Sequence, residues 1–293
     1  DVRIDGVAGE LPTLESACMI DCGHGGTPAR FLLALACLTG TSVTIDGSPR
    51  LRQRPMADGL ALLRGLGADI HCLEAEGHLP VRVDSTSIEG GVVRVGSTAS
   101  SQFISAVLLI APFLNEGIEI EFDGPPTSEA YIRLTVSELE RWGAGVELHE
   151  QGGTLVGVRI RPGMIASCDR EIPPDASSAV YWAVAASIVP GSRVQLLGLH
   201  ADDPQPDMGV LEAITATGAV VEPEADGVLV HGPRSIRGWS SIDASGMPDG
   251  AVAMAVMASC ALTATTITGL ETLRVKESDR IGALKAELER CGS

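Results

Sequence analysis

The sequence predicts an α/β protein of two domains in which a unit of about 75 residues occurs four times. The first sign is a set of four amphipathic helical segments, at residues 61–67, 137–143, 211–218 and 284–292. Their closing glycines, Gly67, Gly143, Gly218 and Gly292, stand 76, 75 and 74 residues apart. Glycine is the usual residue where a helix ends in the left-handed conformation, so this spacing predicts four helices in one register.

Two further landmarks recur in the same register. Four longer segments are apolar on nearly all sides, as buried helices are, at residues 27–38, 100–114, 175–189 and 248–262. A glycine-containing loop precedes each amphipathic helix, at Gly47, Gly124, Gly198 and Gly269. Short alternating or β-branched runs predict strands at 42–45, 92–95, 118–122 and 156–160. The unit is therefore a βαβαβ repeat, with a sheet between helix layers.

The adjacent prolines Pro173 and Pro174 predict a domain boundary, with two units on either side. We expect an N-terminal domain over residues 1–173 and a C-terminal domain over residues 174–293. No surface helix or glycine landmark precedes the first unit, and the last unit stops where its final strand would begin. We therefore expect the chain to lack part of a repeat at each end.

The composition argues against several kinds of partner and site. The formal net charge is −17, which argues against a nucleic-acid or anionic-membrane partner, since either needs a broad basic surface. The seven cysteines contain no C-x-x-C pair, so we expect no zinc site, and reduced thiols in a cytoplasmic protein. The longest apolar run, residues 251–264, is too short to span a bilayer.

Four segments have the chemistry of an anion site. Two enter buried helices: the glycine-rich turn 22–27 and the hydroxyl- and amide-bearing residues 100–102. Two are cationic loops, at residues 47–55 and 273–280. Helix N-termini and arginine side chains both bind phosphate and carboxylate groups. Each segment alone also fits an ordinary turn, N-cap or solvated loop, with Lys276 and Asp279 as a surface ion pair. Their recurrence at matching positions of a repeat favours one anion-binding face.

Residues 274–280, RVKESDR, resemble the R-V-K-E-[ST]-D-R signature of the 3-phosphoshikimate 1-carboxyvinyltransferase family. Four other segments match that family in its order, at residues 26–30, 49–55, 100–103 and 175–178, and Pro248-Asp249 matches as well. The resemblance covers the whole chain. It implies a two-domain inside-out α/β barrel of six repeats, of which this chain holds the central four, with a substrate cleft between the domains.

The resemblance also implies a reaction and a set of site residues. The enolpyruvyl group of phosphoenolpyruvate would pass to the 5-hydroxyl of shikimate-3-phosphate, with release of phosphate. No metal or organic cofactor is implied. Asp249 and Glu277 would be the catalytic carboxylates. The residues implied for shikimate-3-phosphate are Ser100, Ser101, Gln102, Ser128, Tyr131, Asp249 and Lys276. Those implied for phosphoenolpyruvate are Gly26, Thr27, Arg54, Gln102 and Arg280.

The sequence departs from the family pattern at His24, where the family usually has Asn, and at Pro28. The family's N-terminal Lys-Ser motif and its C-terminal Arg and Lys contacts are not in this chain, so the isolated chain is expected to be inactive or weakly active. Two alternatives stay open. One is the related transfer to UDP-N-acetylglucosamine, and the other is a non-catalytic descendant that binds an anion, a partner or the missing flanking segments of its own fold.

Overall fold

The computed structural model describes residues 7, 16–84, 88–98, 100–167, 169 and 171–293. The predicted start of the first repeat at Asp1 lies outside these residues. The chain divides into two compact units, residues 1–168 and 169–293. The boundary predicted after residue 173 lies a few residues further along the chain and stays a prediction.

The first compact unit alternates strands and helices. Its elements in chain order are β1 (Cys18–Asp21), α1 (Gly26–Ala36), β2 (Val43–Asp46), α2 (Pro49–Arg52), α3 (Ala57–Gly65), β3 (Ile70–Cys72), β4 (Val81–Val83), β5 (Gly91–Val95), α4 (Gln102–Ile110), β6 (Ile118–Phe122), α5 (Glu129–Arg141), β7 (Val146–Gln151) and β8 (Thr154–Ile160). A short 3-10 turn, Ala111–Phe113, extends α4.

The second compact unit continues the same alternation. Its elements are α6 (Ala176–Ile188), β9 (Arg193–Leu197), α7 (Gly209–Thr215), β10 (Val220–Glu224), β11 (Gly227–His231), β12 (Ile242–Asp243), α8 (Ala251–Ser259), β13 (Ile267–Thr268) and α9 (Arg280–Arg290). Two 3-10 turns, Pro206–Met208 and Glu271–Val275, precede α7 and α9.

The sheet topology repeats, as the sequence predicts. The first unit has two four-stranded sheets of matching order, β1-β2-β4-β3 and β5-β6-β8-β7. In both, the first pair of strands is parallel and the other pairs are antiparallel. The second unit shows the same pieces, a parallel pair β12-β13 and an antiparallel set β9-β11-β10. Each antiparallel hairpin adds one strand that the predicted βαβαβ pattern does not contain, and in the first repeat its strands β3 and β4 have only three residues each.

All four closing glycines lie in the left-handed region, which confirms the predicted helix ends. Their φ angles are 95° at Gly67, 84° at Gly143, 105° at Gly218 and 84° at Gly292. The helices begin several residues before the predicted segments, at Ala57 in α3 and Glu129 in α5.

Each unit has its own apolar core. In the first unit, α1 and α4 pack side by side, and seven of the nine residues of α4 are buried, as predicted. The prediction of all-round burial is wrong for α6. This helix packs on α7, α8 and two strands, but its opposite face is open, with Tyr181 47% and Trp182 64% exposed. Among the described residues, no helix is long and apolar enough to cross a bilayer.

The first prediction concerns the closing glycine Gly67, and Gly65 is the matched control. A Cβ atom would meet nothing within 4 Å at either Gly65 or Gly67, so sterics do not separate the two positions. Gly67→Ala should lower the free energy of unfolding by about 1–2 kcal/mol, because the left-handed conformation penalises a side chain. Gly65→Ala, inside α3, should raise it by up to about 1 kcal/mol. Urea unfolding of both variants checks this, and effects of equal sign would contradict it.

Candidate active site

A buried arginine organises the candidate site in the first unit. Arg30 stands in the apolar helix α1 and is 4% exposed, so its charge requires partners nearby. Its Nη1 donates to Gln102 Oε1 at 2.6 Å and to Ser100 Oγ at 3.4 Å, and its Nη2 donates to the carbonyl of Pro55 at 3.4 Å. The Phe103 ring centroid lies 4.5 Å from the guanidinium carbon. These contacts draw the start of α4 and the segment after α2 toward α1.

Gln102 links Arg30 to the exposed start of α1. Its Nε2 donates to Thr27 Oγ1 at 2.8 Å, while its Oε1 accepts from Arg30. The two bonds fix which way the amide faces, because only the oxygen can accept from the guanidinium. Two predicted site residues, Thr27 and Gln102, are therefore in direct contact.

Gly26 and Arg54 are also in direct contact. A Cβ atom at position 26 would overlap the Arg54 guanidinium, so a side chain there would have to displace it. Arg54 is itself buried, 4% exposed. The turn before α1 is held by Ser48, whose amide donates to the Gly23 carbonyl at 2.8 Å and whose hydroxyl lies 3.0 Å from His24 Nδ1.

The other arginines of the 47–55 loop have structural partners. Arg52 donates to both carboxylate oxygens of Asp46, at 2.8 and 2.6 Å, and to Glu74 at 2.7 Å. Arg50 donates to Gln53 Oε1 at 3.2 Å. Arg54 is thus the arginine of this loop that lies against the start of α1.

The predicted serines stand at the starts of α4 and α5, two helices in contact. Ser100 Oγ accepts from the Gln102 backbone amide at 3.2 Å, and the buried Ser101 is the N-cap of α4 but makes no capping hydrogen bond with its side chain. Ser128 precedes α5 with φ 51° and ψ 52°, and among the described residues it is the one non-glycine with positive φ. Such strain costs about 1–3 kcal/mol and clusters at functional sites. Tyr131 follows in the first turn of α5.

In the second unit, four predicted residues form one ionic cluster. Asp249 accepts from Arg280 Nη1 at 2.5 Å and lies 3.3 Å from Lys276 Nζ. Arg280 Nη2 donates to Glu277 Oε2 at 3.0 Å. Burial opposes the charge of Arg280, but Asp249 and Glu277 raise the pKa of its guanidinium on balance. Arg280 therefore stays cationic and joins the two predicted catalytic carboxylates.

The surface pair considered for Lys276 and Asp279 is wrong. Lys276 pairs with Asp249, and Asp279 lies 3.4 Å from Arg274. Asp279 also accepts from the Gly282 amide at 3.1 Å and so caps α9. Capping by Asp279 fixes the helix start from which Arg280 projects.

Sequence reasoning missed Asp207, which lies beside this cluster. Asp207 is 1% exposed, accepts from the Gly250 amide at 3.0 Å and accepts from the Ser177 hydroxyl. Burial raises the pKa of its carboxyl, and the nearby charge of Asp249 raises it further. The only signal in the sequence is a lone acid between Pro206 and Met208, which a surface turn would also show.

A third cluster, of two aspartates and a histidine, has the residue types of a metal site. Asp69, His71 and Asp84 place their ligand atoms within 4.8 Å of one another. His71 Nε2 lies 3.0 Å from Asp69 and 3.3 Å from Asp84, and Arg82 lies 3.0 Å from Asp84. The hydrogen bond from Ser42 and that from Arg82 lower the pKa of Asp84. An arginine already satisfies this carboxylate, so the group is an exposed ion-pair cluster.

Comparison with solved structures defines the class. EPSP synthase from Acinetobacter baumannii superposes with a TM-score of 0.69 at 26% identity, over 93% of this chain and 61% of that one. The enolpyruvyl transferase NikO from Streptomyces tendae, at 16% identity, gives a TM-score of 0.57 over 81% of this chain and 56% of its own length. The chain therefore has the enolpyruvyl transferase fold, and the predicted fold class is confirmed.

Comparison of sequences defines the family. Residues 2–293 match the family described as EPSP synthase (3-phosphoshikimate 1-carboxyvinyltransferase), and the chain belongs to that family. The 3-phosphoshikimate 1-carboxyvinyltransferase of Methanoculleus marisnigri is 35% identical over 100% of this chain and 68% of its own length. That of Nitrosomonas europaea is 32% identical over 99% of this chain and 67% of its own length. The chain thus spans about two thirds of the length of these curated relatives.

The second prediction concerns the effect of the buried Asp207 carboxyl on stability at different pH values. Its folded-state pKa is raised, so at acidic pH the folded chain holds a proton that the unfolded chain releases at a pKa of about 3.9. Stability should therefore fall as pH rises above about 4, toward the raised pKa. Asp207→Asn should remove this fall. Urea unfolding at pH 4 to 7 checks it, with Asp203→Asn in the same loop as the control for loss of a charge. Parallel pH profiles of the wild type and Asp207→Asn would contradict the prediction.

Proposed function

We propose that the protein containing this chain transfers the enolpyruvyl group of phosphoenolpyruvate to the 5-hydroxyl of shikimate-3-phosphate and releases phosphate. The observation that carries the proposal is the cluster of Asp249, Lys276, Glu277 and Arg280, which brings two carboxylates and two cations together. Three of these residues lie in the RVKESDR segment. Membership of the EPSP synthase family supports the same reaction.

For shikimate-3-phosphate, the phosphate ligands would be the hydroxyls of Ser100, Ser101 and Ser128, together with Lys276. The three serines stand at the starts of the adjacent helices α4 and α5, where N–H groups and the helix dipole favour an anion. The left-handed backbone of Ser128 sets the direction of its side chain. Gln102 and Tyr131 would contact the ring.

For phosphoenolpyruvate, the ligands would be Gly26, Thr27, Arg54, Gln102 and Arg280. The Arg54 guanidinium packs on Gly26, so backbone and cation are available to one carboxylate or phosphate. Gln102 and Thr27 are already hydrogen-bonded to each other at the same helix start. Arg280 would contribute from the second unit.

The chemistry is an addition followed by an elimination. Asp249 takes the proton of the 5-hydroxyl as that oxygen bonds to C2, while Glu277 gives a proton to C3. Phosphate then leaves C2 as Glu277 takes a proton back from C3, which restores the double bond. The Glu277 side chain is 49% exposed and pairs with Arg280. Lys276 and Arg280 supply fixed positive charge where negative charge develops.

The chain's share of its relatives' length favours a second, narrower function. A polypeptide that spans about two thirds of those enzymes can hold the serines and the ionic cluster without every cation that the reaction needs. In that case the chain binds shikimate-3-phosphate but turns over slowly.

We also propose a cytoplasmic location and no nucleic-acid or membrane partner, which a net charge of −17 supports.

The third prediction tests the reaction itself. The complete product of the gene should release inorganic phosphate from shikimate-3-phosphate plus phosphoenolpyruvate, without added metal. The 293-residue chain assayed alone should bind shikimate-3-phosphate weakly in calorimetry and release phosphate far more slowly. Phosphate release with UDP-N-acetylglucosamine in place of shikimate-3-phosphate would overturn the assignment.

The fourth prediction concerns Glu277, for which α9 offers a matched control. Glu277 pairs with Arg280 and Glu287 pairs with Arg290, both three residues apart and at 3.0 and 2.8 Å. Glu277→Gln should lower kcat by about 10²-fold or more, the scale for loss of a general acid–base group. Glu287→Gln breaks an equivalent pair and should leave kcat unchanged. Equal kcat in the two variants would refute the acid–base role of Glu277.

A further inference from the structure

Asp207 is a buried carboxylate to which the proposed reaction gives no part. It sits in the 3-10 turn Pro206–Met208, 1% exposed and among apolar neighbours of the second unit's core. A carboxylate in such a place is costly unless hydrogen bonds satisfy it. A side chain kept there despite that cost is expected to hold its partners in place.

The partners of Asp207 are the starts of two helices. Its Oδ1 accepts from the Gly250 amide at 3.0 Å, at the start of α8, and its Oδ2 accepts from the Ser177 hydroxyl, at the start of α6. A Cβ atom at Gly250 would lie 2.5 Å from the Val210 side chain and 3.2 Å from Asp207 Oδ1. The Gly250 peptide is therefore confined against α7 and the carboxylate together.

The turn that carries Asp207 is itself fastened to α6. Gln205 Oε1 accepts from the Ala176 amide at 2.8 Å, and Gln205 Nε2 donates to the Pro174 carbonyl at 2.7 Å. The backbone amide of Gln205 donates to Asp203 Oδ1 at 3.0 Å. The position of the Asp207 carboxylate is thus set by the turn before it and by Ser177 from α6.

We propose that Asp207 is a positioning residue, whose hydrogen bond to the Gly250 amide holds the preceding residue, Asp249, against Lys276 and Arg280. The proposal rests on the proposed function, in which Asp249 is the base. Asp249 shares the peptide bond whose N–H group Asp207 accepts. Lys276 at 3.3 Å and Arg280 at 2.5 Å both lie on the Asp249 carboxylate, and Asp175 is a further charged group near Asp207. Asp207 therefore acts on the backbone of Asp249 while the cations act on its side chain.

The test compares two substitutions of Asp207 in the complete gene product. Asp207→Asn keeps an oxygen that accepts from the Gly250 amide and should retain kcat within about threefold. Asp207→Ala keeps none and should lower kcat by about 10- to 100-fold, the scale of an ångström-sized misplacement of a reacting group. The KM values for both substrates should change less than kcat. An Asp207→Asn variant as slow as Asp207→Ala would overturn the proposal.

A double-mutant cycle separates positioning from general loss of stability. In an Asp249→Ala background, Asp207→Ala should lower the residual kcat by no more than about twofold, although it should still lower the melting temperature. Equal falls of kcat in the two backgrounds would overturn the proposal. Asp202→Asn removes an exposed carboxylate from the same loop, outside the contacts that hold Asp207, and should leave kcat unchanged.

Two further measurements cover the cases in which Asp207→Ala does not fold or the wild type does not turn over. If Asp207→Ala does not fold, Ser177→Ala removes the second hydrogen bond of the carboxylate and should lower kcat several-fold, again only when Asp249 is present. If the wild type itself does not turn over, the proposed function fails, and amide hydrogen exchange still tests the positioning. The Gly250 amide should then exchange at least about tenfold faster in Ser177→Ala than in the wild type. Unchanged exchange would overturn the positioning role.

Discussion

Burial of charge is the constraint on which both compact units depend. Arg30 and Arg54 in the first unit and Asp207 in the second are each almost fully removed from solvent. The effective desolvation penalty for an ion is several kcal/mol, which hydrogen bonds to the buried group offset in part. In the first unit, the partners of Arg30 are the start of α4 and the backbone at Pro55. Satisfying one guanidinium thereby assembles three segments that are distant in sequence.

In the second unit the buried charge is negative, and it too requires hydrogen-bond partners. Asp207 is satisfied by two neutral donors, a backbone amide and a hydroxyl, in the core. Asp249, the neighbouring carboxylate, is satisfied by the cations Lys276 and Arg280 nearer the surface. Two carboxylates with such different surroundings can take different roles, and in the proposed reaction Asp207 holds structure while Asp249 acts as the base.

The repeat and the helix ends could be predicted from the sequence because they depend on local conformation. A glycine such as Gly143 marks the left-handed residue after a helix wherever it stands, and the signal survives without knowledge of the partner elements. The ionic cluster was also predictable in part, because Lys276, Glu277 and Arg280 lie within five residues of one another.

The remaining contacts could not be predicted because they join residues far apart in the chain. Arg30 and Gln102 are 72 residues apart, and Asp207 and Gly250 are 43 apart. No periodic pattern marks such pairs. The open face of α6 was missed for a related reason. A helix that is apolar all round predicts burial, whereas the exposure of Trp182 depends on which elements pack around it.

The repeat explains why one architecture can supply two kinds of chemistry. In the first unit the long helices α1 and α4 come from successive repeats and pack together, as α6 and α8 do in the second. In each pair the helix starts are joined through one buried ion, Arg30 in the first unit and Asp207 in the second. A buried cation beside hydroxyls and amide groups attracts anions, which suits the binding of phosphates. A buried carboxylate attracts none, but it fixes the peptide that carries Asp249, which suits proton transfer. The sign of the buried ion, more than the repeat that surrounds it, therefore separates the two roles in the proposed reaction.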